Sequence, residues 1–260
     1  MFGYFETKRQ RRNRIRSQPF PNDWDAILHR QVPLYQHLSD QDRQELQGLI
    51  QIFVDEKHFE GCGGLTLNDA IRVTIAAQAC ILLLHRETDL YPRLISILVY
   101  PSTYVAQARQ PIGGGMVLEG EIARLGEAWK DGVVVLSWDD VLAGASDIHD
   151  GHNVVLHEFA HQLDQENGPA DGAPVLEQRS QYVSWARVLG NEYEQLRQDA
   201  SLGRPSVLDR YGATNPAEFF AVATECYFEK PKELQRSHPE LFEELRAYYH
   251  FDPTEIRELG

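Results

Sequence analysis

The chain has 260 residues, a formal net charge of -14, 42% hydrophobic and 25% charged residues. This is the composition of a globular protein with room for a sizeable core, as one large domain or two small ones, and the acidic balance argues against nucleic acid as a general partner. No apolar run is long enough to span a membrane: the longest, Ile75 to Leu84, is interrupted by Gln78 and ends at His85-Arg86.

Residues 1–19 hold a basic run, Lys8, Arg9, Arg11, Arg12, Arg14 and Arg16, opposed only by Glu6. It reads as a solvated, mobile tail in preference to a membrane-surface or docking arm, with residues 20–260 forming a single domain. It is not a signal peptide, because Gln18, Pro19 and Pro21 follow the basic residues in place of an apolar segment. Cys62, Cys80 and Cys226 have no metal-type spacing, and the last two fall in helical patterns as reduced core residues. A reducing, cytoplasmic space is the expectation.

Phe20 to Arg30 reads as a short helix ending before Val32-Pro33. Ser39 can cap a second, whose apolar stripe is Leu46, Leu49, Ile50, Phe53 and Val54. Glu60 to Gly64 breaks it, and Thr66 or Asn68 starts a third helix through about His85. The period then changes. Leu94 to Tyr100, Met116 to Ile122 and Val133 to Trp138 read as strands, with a flexible loop at Gly113 to Gly115 and a turn at Asp131-Gly132. Either of the last two strands is expected at the sheet edge, where an extended peptide could add to it. Glu177 to Gln198 reads as a long helix, with Trp185, Val188 and Leu189 on its apolar face. Another starts at Asn215 and Pro216 and stops at Lys230-Pro231, and a last one covers about Pro239 to His250.

The chemistry concentrates in Asn153 to Asp164, which contains His157-Glu158-Phe159-Ala160-His161. Residues four apart share one helix face, so two imidazoles can reach one Zn²⁺. Glu158, one step round the helix, is badly placed as a ligand but well placed as a general base toward a water. Val154, Val155, Leu156, Phe159, Ala160 and Leu163 make the segment apolar on nearly every other side, which predicts a buried helix. Catalytic zinc needs a third protein ligand. A third histidine of the metzincin kind is excluded, because Asp164 and Asn167 stand at the required glycine and histidine positions. A later carboxylate remains, Glu218 or Glu225, two helical turns apart on one face, with Glu225 read as a group supporting a ligand from behind or held in a salt bridge. Glu218 also has a bland explanation, as the third residue of a capped helix. Asp164, one turn after His161, could orient a histidine or simply end the helix.

The pair His157-Glu158-Phe159-Ala160-His161-x-x-Asp164 and Tyr211-Gly212-Ala213-Thr214-Asn215-Pro216-Ala217-Glu218-Phe219-Phe220-Ala221 closely resembles the Mlc titration factor A family of bacterial zinc peptidases. The second segment is also similar to the catalytic domain of anthrax lethal factor, a gluzincin-like protease. The resemblance implies a mainly helical, zincin-like α+β fold with a small mixed sheet beside the zinc helix. It implies His157, His161 and Glu218 as ligands, Glu158 as base and Tyr211 as a transition-state donor. It further implies aminopeptidase-like hydrolysis of peptide substrates and binding of a glucose-repressor-type transcription factor. The alternative is a regulatory protein that sequesters such a repressor with little peptidase activity.

Overall fold

The computed structural model describes residues 6–255 except 88, 103, 112–116, 125, 130 and 131, and between 104 and 129 it describes the backbone alone. Four helices come first: α1 (Lys8–Arg16), α2 (Asn22–Gln31), α3 (Pro33–His37) and α4 (Asp40–Glu56). Ser39 caps α4 by accepting from the Asp42 amide, as its residue type suggests. β1 (His58–Gly61) follows, in the stretch that reads as a helix breaker. α5 (Asp69–Ile81) then starts on Asn68, whose side chain accepts from the Ile71 amide.

The basic run is not a mobile tail over Lys8–Arg16. It is a helix with a reciprocal Thr7–Gln10 cap, and it packs on α4. Arg12 makes two 2.7 Å hydrogen bonds to the Glu56 carboxylate and a third of 2.7 Å to Asp89, while Lys8 pairs with Asp89 at 2.8 Å. Both members of the Arg12–Glu56 pair are mostly buried, and Ile15 is in the core. The acidic partners lie far along the chain, so local charge could not announce the docking.

The strands after α5 are β2 (Ser96–Tyr100), β3 (Tyr104–Pro111), β4 (Val117–Arg124), β5 (Gly126–Trp129) and β6 (Val133–Ser137). Among the described residues, the main sheet has the order β1-β2-β6-β5; β1, β2 and β6 run parallel, and β5 is added antiparallel at the edge. β3 and β4 pair antiparallel in a separate ribbon. Of the two strands expected as the edge, Val133 to Trp138 is not one, because β6 lies between β2 and β5, whereas among the described residues β4, which holds Val117 to Ile122, pairs with β3 alone. The burial of β6 was the signal, since Val134, Val135 and Leu136 are all buried. The Gly113 to Gly115 loop, Met116 and Asp131 lie outside the described residues.

Ser137 ends β6 and caps α6 (Trp138–Ser146). Next come α7 (Val154–Asp164), α8 (Gln181–Leu202), α9 (Pro216–Glu229), α10 (Pro231–Ser237) and α11 (Pro239–Tyr249). The result is a mainly helical α+β fold with a small mixed sheet. α7 is the apolar helix its sequence predicts. Phe159 is fully buried, its ring 4.8 Å from that of Tyr91 and 5.7 Å from that of Phe53. Truncating such a ring typically costs about 3–5 kcal/mol. α9 packs along α7 and is buried over every residue from Phe219 to Glu229, so the two helices share one interior face. β5 also lies against α7.

Candidate metal centre

Asn153 sets the start of α7. Its side-chain oxygen accepts from the Val155 and Leu156 amides, both at 3.1 Å, and the first turn places His157 one position further on. Helical spacing then stacks His161 beside it, the ring centroids 4.9 Å apart. Across the interface, Asn215 caps α9 by accepting from the Glu218 amide at 3.0 Å, and Pro216 fills the first helical position. The Glu218 side chain leaves that fixed first turn toward both imidazoles. Its Oε2 is 3.0 Å from His157 Nε2 and 3.4 Å from His161 Nε2.

One donor atom from each of His157, His161 and Glu218 lies within 4.8 Å of the others, and this is the one such triad among the described residues. Two imidazole nitrogens and one carboxylate oxygen suit a borderline divalent cation, with a coordination position left over. The electrostatics are those of a cation site held together by a proton. Burial alone would lower the His157 imidazole, but hydrogen bonds to Glu218 and Glu225 outweigh it and raise it to about 10. Burial alone would raise the Glu218 carboxyl, yet the two histidines hold it down at about 2. A metal ion held by these three residues would take the place of that shared proton.

Glu158 is buried on the same helix, 4% exposed. Tyr211 lies on a single 3-10 turn, Arg210–Ala213, fixed by the Asp209 side chain, which accepts from the Tyr211 amide at 2.6 Å. Its ring is 6.0 Å from that of His157 and stays 54% exposed. Partial burial and the negative charges of Glu218 and Glu158 raise its phenol. His157, His161 and Glu218 thus converge on one point with the Tyr211 ring beside His157, and the Glu158 charge acts on both His157 and Tyr211.

Two groups left open by sequence are resolved. Glu225 faces the site: its Oε1 accepts from His157 Nδ1 at 2.7 Å. Asp164 turns to the following loop, its Oδ2 accepting from the Gly172 amide at 2.8 Å, and burial pushes its carboxyl up to about 6. Gly172 in turn packs under the first residue of α9. Its φ is +81° and a Cβ there would lie 2.5 Å from the Pro216 carbonyl oxygen. Asn153 was missed as more than a helix start; a polar residue heading an otherwise apolar segment was the available signal.

The chain matches the family of glucose-regulated metallo-peptidases M90 over residues 6–250. It is 42% identical to the uncharacterised protein slr2042 of Synechocystis sp. over 254 residues, 97% of this chain and 92% of that one. It is 30% identical to Mlc titration factor A of Cronobacter sakazakii, covering 90% of this chain and 87% of the relative. The same protein of Klebsiella pneumoniae is also 30% identical, with 91% and 89% covered. The chain belongs to the M90 metallopeptidase family.

Proposed function

We propose that this M90 family member is a zinc-dependent, aminopeptidase-like peptidase of the cytoplasm, with residues 20–260 and the docked helix α1 as its peptidase domain. The observation that carries the reading is the convergence of His157, His161 and Glu218 on one point, with Glu158 on the same helix. His157, His161 and Glu218 would hold the ion. Zn²⁺ in such a site supplies Lewis acidity, lowering the pKa of a water toward neutrality and polarising a carbonyl. Glu158 takes the water proton and returns it to the leaving amine. Its burial keeps that transfer away from bulk solvent. The Tyr211 hydroxyl, kept protonated by its surroundings, donates to the oxygen on which negative charge develops. Among the described residues β5 is an edge of the main sheet and lies beside α7, where it offers its backbone to an extended peptide.

No helix among the described residues is long and apolar enough to cross a membrane. The cytoplasmic assignment draws support from the three cysteines, none of them in a disulfide. Hydrolysis of amino-acid and dipeptide chromogenic amides by purified protein tests the reading. Activity abolished by chelation and restored by zinc is expected; activity unaffected by exhaustive chelation overturns it.

A second reading is favoured by the relatives named Mlc titration factor A. In it, this chain also binds a repressor of the Mlc kind and removes it from circulation. Chelation separates the two roles: it should abolish hydrolysis but need not abolish repressor binding.

A further inference from the structure

Glu225 is buried, with 6% exposure, and its carboxylate is divided between two partners. Oε1 accepts from His157 Nδ1 at 2.7 Å and Oε2 accepts from the Asn153 backbone N–H at 2.6 Å. Asn153 is itself fully committed. Its side-chain nitrogen donates to Gln78 Oε1 at 2.9 Å and to the Gly144 carbonyl at 3.1 Å, and its oxygen caps α7. α6 comes so close at this point that a Cβ on Gly144 would lie 2.9 Å from the Asn153 Cα. α5 and α6 therefore fix Asn153, Asn153 fixes the Glu225 carboxylate, and that carboxylate meets the His157 ring.

We propose that Glu225 is a positioning residue: held by the Asn153 amide, it orients the His157 imidazole and keeps a proton on Nδ1, leaving Nε2 as the ring nitrogen that faces Glu218 and His161. The inference rests on the metal reading of the triad for its consequence, but its geometry is independent of any ion. A carboxylate only accepts hydrogen bonds, so a ring nitrogen facing it must carry hydrogen. A histidine whose outer nitrogen is held this way presents the opposite nitrogen as a lone pair, in a fixed ring orientation. The arrangement also explains a carboxylate buried with no lysine or arginine partner among the described residues: both oxygens are satisfied, one by an imidazole N–H and one by a main-chain N–H. Placing Glu225 two turns beyond Glu218 on α9 makes one helix supply both the third donor of the triad and the group that aims the first.

Glu225→Gln is the informative variant. An amide offers one accepting oxygen and one donating NH₂, whereas the native side chain accepts on both sides. If the oxygen stays on the Asn153 amide, the NH₂ faces His157 Nδ1 and draws the lone pair there, so the Nδ1 hydrogen is lost and the ring keeps hydrogen on Nε2 alone, facing Glu218. Two readouts are needed. Long-range ¹H–¹⁵N correlation spectra of zinc-free protein report the ring protons. The wild type should show a hydrogen-bonded His157 Nδ1–H, and Glu225→Gln should lose it. Zinc affinity by competition with a fluorescent chelator should fall on the order of 10–100-fold in Glu225→Gln and Glu225→Ala. Circular dichroism should show both variants folded. Glu233→Gln, exposed on α10 beyond the end of α9, serves as the control and should keep wild-type affinity.

Wild-type zinc affinity with an unmoved ring proton in folded Glu225→Gln overturns the proposal. So does the absence of a His157 Nδ1–H in the wild type, which needs no variant to fold. A wild-type protein that takes up no zinc defeats the metal reading, while the ring-proton spectra still decide the role of Glu225.

Discussion

Glu229 makes the stability of this protein depend on pH in a direction opposite to that of a salt-bridged carboxylate. The side chain is buried, with 3% exposure, and among the described residues neither carboxyl oxygen has a hydrogen-bond partner within normal distance. Burial raises its carboxyl from 4.5 to about 9, and the nearby Asp150 and Glu225 carboxylates push the same way, against the amide of Asn153. A folded-state pKa above the unfolded one means that the native protein holds a proton the unfolded chain has released. Stability from this group is complete below about pH 4.5 and is lost as pH rises toward about 9. Between pH 5 and 8 the slope approaches about 1.4 kcal/mol per pH unit, which sets a ceiling of roughly 4 kcal/mol over three units. Glu229→Gln resembles the neutral acid and cannot ionise. Chemical denaturation of zinc-free wild type and variant at pH 5 and pH 8 measures the effect. The two proteins should be nearly equal at pH 5, and the variant more stable by a few kcal/mol at pH 8. A stability difference that does not change with pH would show that Glu229 ionises normally in the fold and would refute the reasoning.

Three other substitutions separate chemistry from architecture. Glu158→Gln keeps the shape and the three donors but removes the base, so zinc should remain bound while turnover falls by roughly a hundredfold or more; near-normal turnover with zinc in place would count against the mechanism. Tyr211→Phe should lower kcat by about a hundredfold with zinc content unchanged, as expected for one lost oxyanion donor, and an unaltered kcat would return Tyr211 to the role of a surface aromatic. Gly172→Ala forces a Cβ into a φ of +81° and to 2.5 Å from the Pro216 carbonyl oxygen. It should destabilise the fold by about 2 kcal/mol or more and weaken zinc binding through the displaced start of α9, whereas a melting temperature within a degree of wild type would mean the loop yields freely.

The parts of the site that lie on helices were legible in the sequence because helical period and caps are local signals. His157 and His161 are four apart, Asn215 and Pro216 announce the start of α9, and the structure brings Glu218 from that start to both imidazoles. What could not be read is what depends on partners far along the chain. The pairing of Arg12 with Glu56 and Asp89 turns a run of like charges into a docked helix. The contact of Glu225 with His157 depends on how α9 packs against α7, and sequence spacing shows only that Glu225 and Glu218 share a face. β1 was hidden because it runs from the end of a helical pattern into the glycine-rich Glu60 to Gly64 stretch that breaks it, and β6 was kept as one of two edge candidates although its continuous apolar run is the mark of an interior strand.

The central claim is that His157, His161 and Glu218 form one zinc site. It is tested most directly by the zinc content of purified wild type and Glu218→Ala, measured by elemental analysis after gel filtration against a moderate chelator. The account predicts about one zinc ion per wild-type chain and almost none in the folded variant, because two histidines alone hold the ion weakly. Full zinc occupancy in Glu218→Ala would contradict it.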